Sequence, residues 1–123
     1  MKIRRSARPR CLAASLLLLG PGLRTATAQF LGPEFQVNSY TTSNQKSSSV
    51  AADGAGNFVV VWQSDFQVGS GWNVFGQRFN SAGIPVGSEF QVNTYTTNYQ
   101  MVPAVGADGS GNFVVAWQSI IQD

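Results

Sequence analysis

Short runs of β-branched and aromatic residues, separated by glycine, serine and asparagine, make up most of the chain from residue 45 onward. The clearest run is Phe-Val-Val-Val-Trp-Gln-Ser at 58–64. Side chains of a strand alternate between two faces, so this run would place apolar groups on both. Such a strand needs to be covered on both sides. We therefore predict a central strand of a sheet that has packing partners above and below it.

Turn residues divide the neighbouring sequence into further strands. Asp-Gly-Ala-Gly-Asn at 53–57 is typical of a tight turn, because glycine tolerates positive φ and Asp and Asn bond to nearby backbone. It predicts a hairpin between a strand near 49–52 and the run at 58–64. A third strand is expected at 73–79, followed by a turn at 81–83. A fourth is expected at 89–92.

The chain contains an internal repeat with a constant offset of 55 residues. Between 32–64 and 87–119, 22 of 33 aligned positions are identical and no gap is needed. The identical segments include Glu-Phe-Gln-Val-Asn, Tyr-Thr-Thr, Ala-Asp-Gly, Gly-Asn-Phe-Val-Val and Trp-Gln-Ser. We define one repeat unit as 32–86 and a partial second unit as 87–123 within a β-repeat region at 29–123.

Four short strands in each 55-residue unit, with both sheet faces apolar, indicate an all-β fold of antiparallel, β-propeller-like blades. The sequence holds about 1.7 such repeats. A β-sandwich assembled from the same strands is the alternative. In the partial unit, Phe113, Val115 and Trp117 are expected to be exposed beside an unpaired strand edge. Truncation of a longer repeat protein, or assembly of several short chains into a ring, would cover that edge.

The repeat also resembles a known type of sequence. Glu-Phe-Gln-Val-Asn, Asp-Gly-x-Gly-Asn-Phe-Val-Val-x-Trp-Gln-Ser and Gly76-Gln77-Arg78-Phe79 are similar to tandem repeats of large secreted or surface proteins of bacteria. The resemblance covers essentially all of 32–123. It implies a propeller-type fold and the company of calcium-binding or cadherin-like modules. After the Trp strand, those repeats continue with Gln-Asp-Gly, whereas the first copy here has Gln67-Val68-Gly69.

The first 28 residues have the features of a secretory signal peptide. A basic segment at 1–10 is followed by an apolar segment at 12–19, and Ala26-Thr27-Ala28 predicts cleavage before Gln29. The apolar segment is too short for a transmembrane anchor. The single cysteine, Cys11, would be removed with this leader, so the mature chain would have no disulfide. We expect a secreted or cell-surface protein.

Charge and composition narrow the function classes. From residue 29 onward the chain has two basic and six acidic residues, a net charge of −4, which does not suit nucleic-acid binding. Histidine, the commonest general base, is absent from the sequence. Serines are plentiful, but no base is evident to activate one of them. We therefore expect no enzyme activity, no catalytic residues and no cofactor.

The repeated turns are candidate metal sites. Asp53 with Asn57, and Asp108 with Asn112, offer oxygen ligands on short glycine-rich loops, as calcium requires. Each loop has one carboxylate only and lacks the alternating acidic residues of a calcium loop. The alternative is a hairpin turn in which the Asp side chain accepts backbone hydrogen bonds.

Two other residues stand out. Trp72 follows Gly69-Ser70-Gly71, and an exposed loop aromatic can bind a ligand such as a glycan. The alternative is a tryptophan that folds back onto the sheet. Arg78, the only arginine after the leader, is expected to be partly buried in a structural hydrogen bond or ion pair.

Together these features predict a non-catalytic, exported β-repeat module, a scaffold for adhesion or ligand contact and a fragment of a longer repeat protein. Its partner would be a glycan, a protein or a second copy of itself. One alternative is a truncated reading frame without independent function. Another is part of a secreted hydrolase whose active site lies elsewhere.

Overall fold

The structure is a computed structural model that describes residues 1–6 and 31–121. Within these ranges the chain is all-β and forms antiparallel sheets, so the all-β, antiparallel part of the predicted fold class is confirmed. The described residues contain no helix that is long and apolar enough to cross a membrane. The chain has two compact units, one within residues 2–35 and one of Met1 with the residues from 36 onward.

The strands are short and follow one another closely. Their bounds are β1 Lys2–Ser6, β2 Leu31–Gln36, β3 Gln45–Ala52, β4 Phe58–Asp65, β5 Trp72–Phe79, β6 Pro85–Gln91, β7 Gln100–Ala107 and β8 Phe113–Ser119. They form a two-stranded sheet of β1 and β2, a four-stranded sheet in the order β3-β4-β5-β6 and a two-stranded sheet of β7 and β8. The apolar part of the proposed leader and its cleavage site lie outside the described residues. Its first residues form β1.

The four-stranded sheet is a meander of sequence neighbours, and β4 is its most deeply buried strand. Residues 59–64 are all buried, as expected for a strand covered on both faces. The predicted hairpin between β3 and β4 is confirmed, with Ala52 opposite Phe58. β5 begins one residue earlier than predicted, because Trp72 pairs with Asp65 at the end of β4. The fourth strand, β6, begins at Pro85, four residues before its predicted start.

Strand β7 of the β7–β8 hairpin packs against β3, β4 and β5 of the larger sheet. Two hydrogen bonds connect the sheets. The backbone N–H of Val102 donates to Oε1 of Gln63 at 2.9 Å, and that of Val105 donates to Oγ of Ser49 at 3.3 Å. The face of β4 that carries Gln63 is therefore the face covered by β7.

The two hairpins have the same register and the same irregularities. The β3–β4 register shifts between Lys46 and Ser49, and the β7–β8 register shifts between Met101 and Ala104, which lie 55 residues later. Positive φ angles at non-glycine residues occur in pairs with the same spacing: Ser43 and Asn98, Ser47 and Val102, Phe66 and Ile121. Equivalent positions of the two copies thus adopt equivalent backbone conformations, even where the residues differ.

The exposure expected for the partial unit is found in part. Trp117 is 38% exposed, whereas Phe113 and Val115 are half-buried. The most exposed apolar residue of β8 is Val114, at 70%. It lies on the opposite face from the three residues that the sequence singled out.

Candidate functional site

The first repeated turn, between β3 and β4, is held by the carboxylate of Asp53. Oδ1 accepts the backbone N–H groups of Ala55 and Asn57, both at 2.9 Å. Oδ2 accepts the side-chain amide of Asn57 at 2.8 Å. This amide, followed by the backbone donors, holds the pKa of the Asp53 carboxyl below its usual value, because all three bonds favour the ionised form.

The second turn, between β7 and β8, has the same geometry. Oδ1 of Asp108 accepts the N–H groups of Ser110 at 2.9 Å and Asn112 at 3.0 Å. Oδ2 accepts the Asn112 side-chain amide at 2.7 Å, and this amide is again the main reason that the pKa of Asp108 is lowered. The repeated Asp-Gly-x-Gly-Asn sequence therefore specifies one self-bonded turn, used twice.

The two turns contact each other. The N–H of Gly54 donates to the carbonyl of Gly109 at 3.3 Å. A Cβ on Gly111 would lie 3.2 Å from Oδ2 of Asp53, and the φ of Gly111 is +88°. Only glycine combines that conformation with so close an approach. The second glycine of the motif is therefore a packing requirement between adjacent turns.

The bonding within the turns bears on the calcium hypothesis. The oxygens of Asp53 accept three N–H donors, and Oδ1 of Asn57 accepts the N–H of Ser81 at 3.0 Å. Three of about four lone-pair sites on the Asp53 carboxylate are therefore occupied, and a cation would find only one more there, on Oδ2. Across the described ranges, no three His, Cys, Asp or Glu residues are grouped as metal ligands would be. The geometry favours the structural turn over a calcium site.

An open groove of about 350 Å³ lies beside the turns, between the four-stranded sheet and the β7–β8 hairpin. Its polar side chains include the guanidinium of Arg78 and the carboxylate of Asp53. Phe58 and Phe79, whose rings stack at 5.0 Å, line another part of it. The partial burial expected for Arg78 is wrong: the residue is exposed, because it lines the open groove.

Trp72 is not a loop residue: it is the first residue of β5, and it is half-buried. Nζ of Lys46 lies 4.4 Å from the ring centroid, a cation–π contact that occupies one face of the indole. A stacking ligand would therefore have the other face only. The ring of Trp72 contacts Lys46 of the sheet, as in the interpretation of a tryptophan folded back. It also remains partly accessible, as a ligand-binding aromatic would be.

A repeated asparagine is the feature that sequence reasoning missed. Oδ1 of Asn93, which is buried, accepts the backbone N–H of Val74 at 2.7 Å. Its amide donates to Oδ1 of Asn73 at 2.7 Å and to the carbonyl of Tyr95 at 2.8 Å. We call this arrangement the asparagine clamp. It fixes the chain after β6 against β5, and the signal for it was the repeated Gln-Val-Asn segment.

The first copy of the clamp is built in the same way. Oδ1 of Asn38 accepts the terminal ammonium of Met1 at 3.0 Å, and the N–H of Val37 donates to the carbonyl of Met1 at 3.3 Å. In the second copy the N–H of Val92 donates to the carbonyl of Val74 at 2.8 Å. Met1 thus occupies at Asn38 the position that Val74 occupies at Asn93. Each clamp holds a neighbouring extended segment.

The edges of β4 and β8 can be assigned from two loop hydrogen bonds. The backbone N–H of Asp65 donates to the carbonyl of Asn44, next to β3. The backbone N–H of Ile120 donates to the carbonyl of Tyr99, next to β7. Backbone groups of successive residues point to opposite edges of a strand. The backbone N–H and C=O groups of β4 that point toward β5 are therefore those of residues 58, 60, 62 and 64. Their equivalents in β8 are 113, 115, 117 and 119, and in the described chain β8 pairs with β7 alone.

Comparisons of the chain with protein-family models, with curated proteins and with solved structures find no match.

Proposed function

We propose that the protein is a non-catalytic, exported β-repeat module whose repeat units are propeller-type blades, and that it is a scaffold for adhesion or ligand contact. The observation that carries the proposal is the four-stranded antiparallel sheet, in which residues 59–64 of the inner strand β4 are all buried. Strand β7 of the next repeat packs on one face of this sheet. Face-to-face packing of successive repeats is how propeller blades bury their apolar surfaces.

The strand order supports blades over a sandwich. In the larger sheet, β3 to β6 are hydrogen-bonded in sequence order. The β-sandwich alternative would place neighbouring strands in different sheets through Greek-key connections. The contact between the Gly54 and Gly109 turns adds to this, because it places equivalent ends of successive repeats side by side.

The absence of catalysis is supported by composition and by the turns. The sequence has no histidine, and the carboxylates of Asp53 and Asp108 already accept three hydrogen bonds each. The hydrogen bonds that lower their pKa values also favour the ionised form, so neither carboxyl is suited to donate a proton.

Export can be tested at the predicted cleavage site. We expect a bacterial host to secrete the protein with Gln29 as its first residue, read by N-terminal sequencing or intact mass. Ala28→Asp should block cleavage, since small residues are required on both sides of the central position of the site. Thr27→Leu, at that central position, is the matched control and should be processed normally. An unprocessed wild-type chain retained in the cytoplasm would contradict the export proposal.

Ligand contact can be tested at Trp72, the partly accessible aromatic of β5. We expect binding of the protein to a glycan array, with loss of the signal in Trp72→Ala and retention in Trp72→Phe, which keeps a ring for stacking. Circular dichroism of both variants controls for folding. Silence of the wild-type protein across the array would remove Trp72 as a glycan site and leave the scaffold role.

A further inference from the structure

The edge of β8 that points away from β7 has nearly the same sequence as the edge of β4 that pairs with β5. Six of the seven residues of β8 are identical to their equivalents in β4; the exception is Ala116 in place of Val61. Both strands pair in the same register with the preceding strand. They differ in what lies on the other side, because β4 pairs there with β5.

Side-chain burial also differs between the two strands. Trp62 is fully buried and Val59 is 4% exposed, whereas Trp117 is 38% and Val114 is 70% exposed. Val59 lies on the face of β4 that β7 covers, so the exposure of Val114 reflects a missing cover on that face as well as the free edge. An unpaired apolar edge of this kind is a template for another strand.

We propose that the free edge of β8 binds an antiparallel strand of the β5 type, supplied by another repeat unit. The register of β4 and β5 defines the fit. In that pair Trp62 lies opposite Phe75, Val61 opposite Gly76 and Ser64 opposite Asn73. An incoming strand would place its phenylalanine opposite Trp117 and its glycine opposite Ala116.

The asparagine of the second turn extends the same site. In the first repeat, Oδ1 of Asn57 accepts the N–H of Ser81, two residues after the end of β5. Asn112 has the same orientation toward its own aspartate, since its amide donates to Asp108. Its carbonyl oxygen is thus placed to accept the equivalent N–H of the incoming segment. The partner should therefore be a β5-type strand with the first residues of the following turn.

The strand must come from a repeat unit in which it has no other partner. Within this chain β5 is central, with β4 on one edge and β6 on the other. A second folded copy could not donate β5 without opening its own sheet. The proposal concerns the edge of β8 alone and does not depend on export or on glycan binding.

The test uses the full chain and a synthetic peptide of residues 72–81, Trp-Asn-Val-Phe-Gly-Gln-Arg-Phe-Asn-Ser. Hydrogen exchange of the β8 amides is followed by NMR. At a peptide concentration about ten times its Kd, exchange at Val115, Trp117 and Ser119 should slow about tenfold, because these amides point to the bound strand. Amides 114, 116 and 118, which point to β7, should change much less.

N-methylated peptides provide the matched control. The carbonyl of Val74 accepts from β6, so residues 74 and 76 point toward β6 and residues 75 and 77 toward β4. N-methylation at 75 and 77 removes donors that face β8 and should abolish protection. N-methylation at 74 and 76 leaves those donors intact and should preserve it.

Three results would overturn the proposal. The first is unchanged exchange of the β8 amides at saturating peptide. The second is equal protection by both N-methylated peptides, which would indicate nonspecific adhesion. The third is protection that rises with protein concentration before any peptide is added, since a second copy of the chain would then cover the edge.

Discussion

The valines at 59 and 114 provide a matched test of how differently the two repeats are covered. They are identical residues at equivalent positions of β4 and β8, yet Val59 is 4% exposed and Val114 is 70% exposed. Valine has no polar atoms, so substitution by alanine changes packing alone. The comparison is Val59→Ala against Val114→Ala.

The expected magnitudes follow from burial. Val→Ala removes about two CH₂ equivalents, worth about 1.6 kcal/mol when fully buried at about 0.8 kcal/mol each. A closed site adds a cavity cost, so Val59→Ala should lower the free energy of unfolding by about 2–3 kcal/mol. At Val114 less than a third of the side chain is covered, and the same change should cost about 0.5 kcal/mol.

Urea unfolding followed by circular dichroism measures both values. With an m value of about 1–2 kcal/mol/M, Val59→Ala should lower the midpoint by about 1–3 M. Val114→Ala should lower it by less than about 0.5 M. Equal destabilisation by the two variants would refute the reasoning, since it would mean that β8 is as well covered in solution as β4.

Two further predictions concern glycine packing and pH. Gly76→Ala should lower the free energy of unfolding by about 1–2 kcal/mol, since a Cβ there would lie 2.7 Å from Cζ of Phe90. The control Gly109→Ala, whose Cβ would meet no atom within 4 Å, should cost less than about 1 kcal/mol in the same urea assay; the reverse order would be inconsistent with the packing described. The turn carboxylates, whose pKa is lowered in the fold, stabilise it above the unfolded value near 3.8 and lose that effect as pH falls through the folded value. NMR carboxyl titration should therefore place Asp53 and Asp108 below 3.8, and unshifted titration would contradict the observed hydrogen bonds.

The strands were predictable because their signals are local. The run at 58–64 has apolar residues on both faces, and the turn at 53–57 has residues that specify its own hydrogen bonds. Both therefore carry their structural information within a few positions. The start of β5 was missed because it depends on the length of β4, whose last residue, Asp65, extends the pairing to Trp72.

The features that sequence reasoning missed depend on tertiary position. The exposure of Arg78 follows from the open groove next to its face of the sheet, which no local pattern reveals. The role of Asn93 follows from its closeness to Val74, 19 residues earlier in the chain. A repeated polar residue next to a strand was the available signal. It needed the register of β5 and β6 before it could be interpreted.

The central claim is that two nearly identical strands differ in edge pairing: within the described chain β4 has a hydrogen-bonded partner on both edges, and β8 on one edge only. Native-state hydrogen exchange of the chain alone tests this most directly. We predict that the amides of Val60, Trp62 and Ser64 exchange about a thousandfold or more slower than those of Val115, Trp117 and Ser119. Comparable protection of the two sets would contradict the account, because it would show that the outer edge of β8 is already paired.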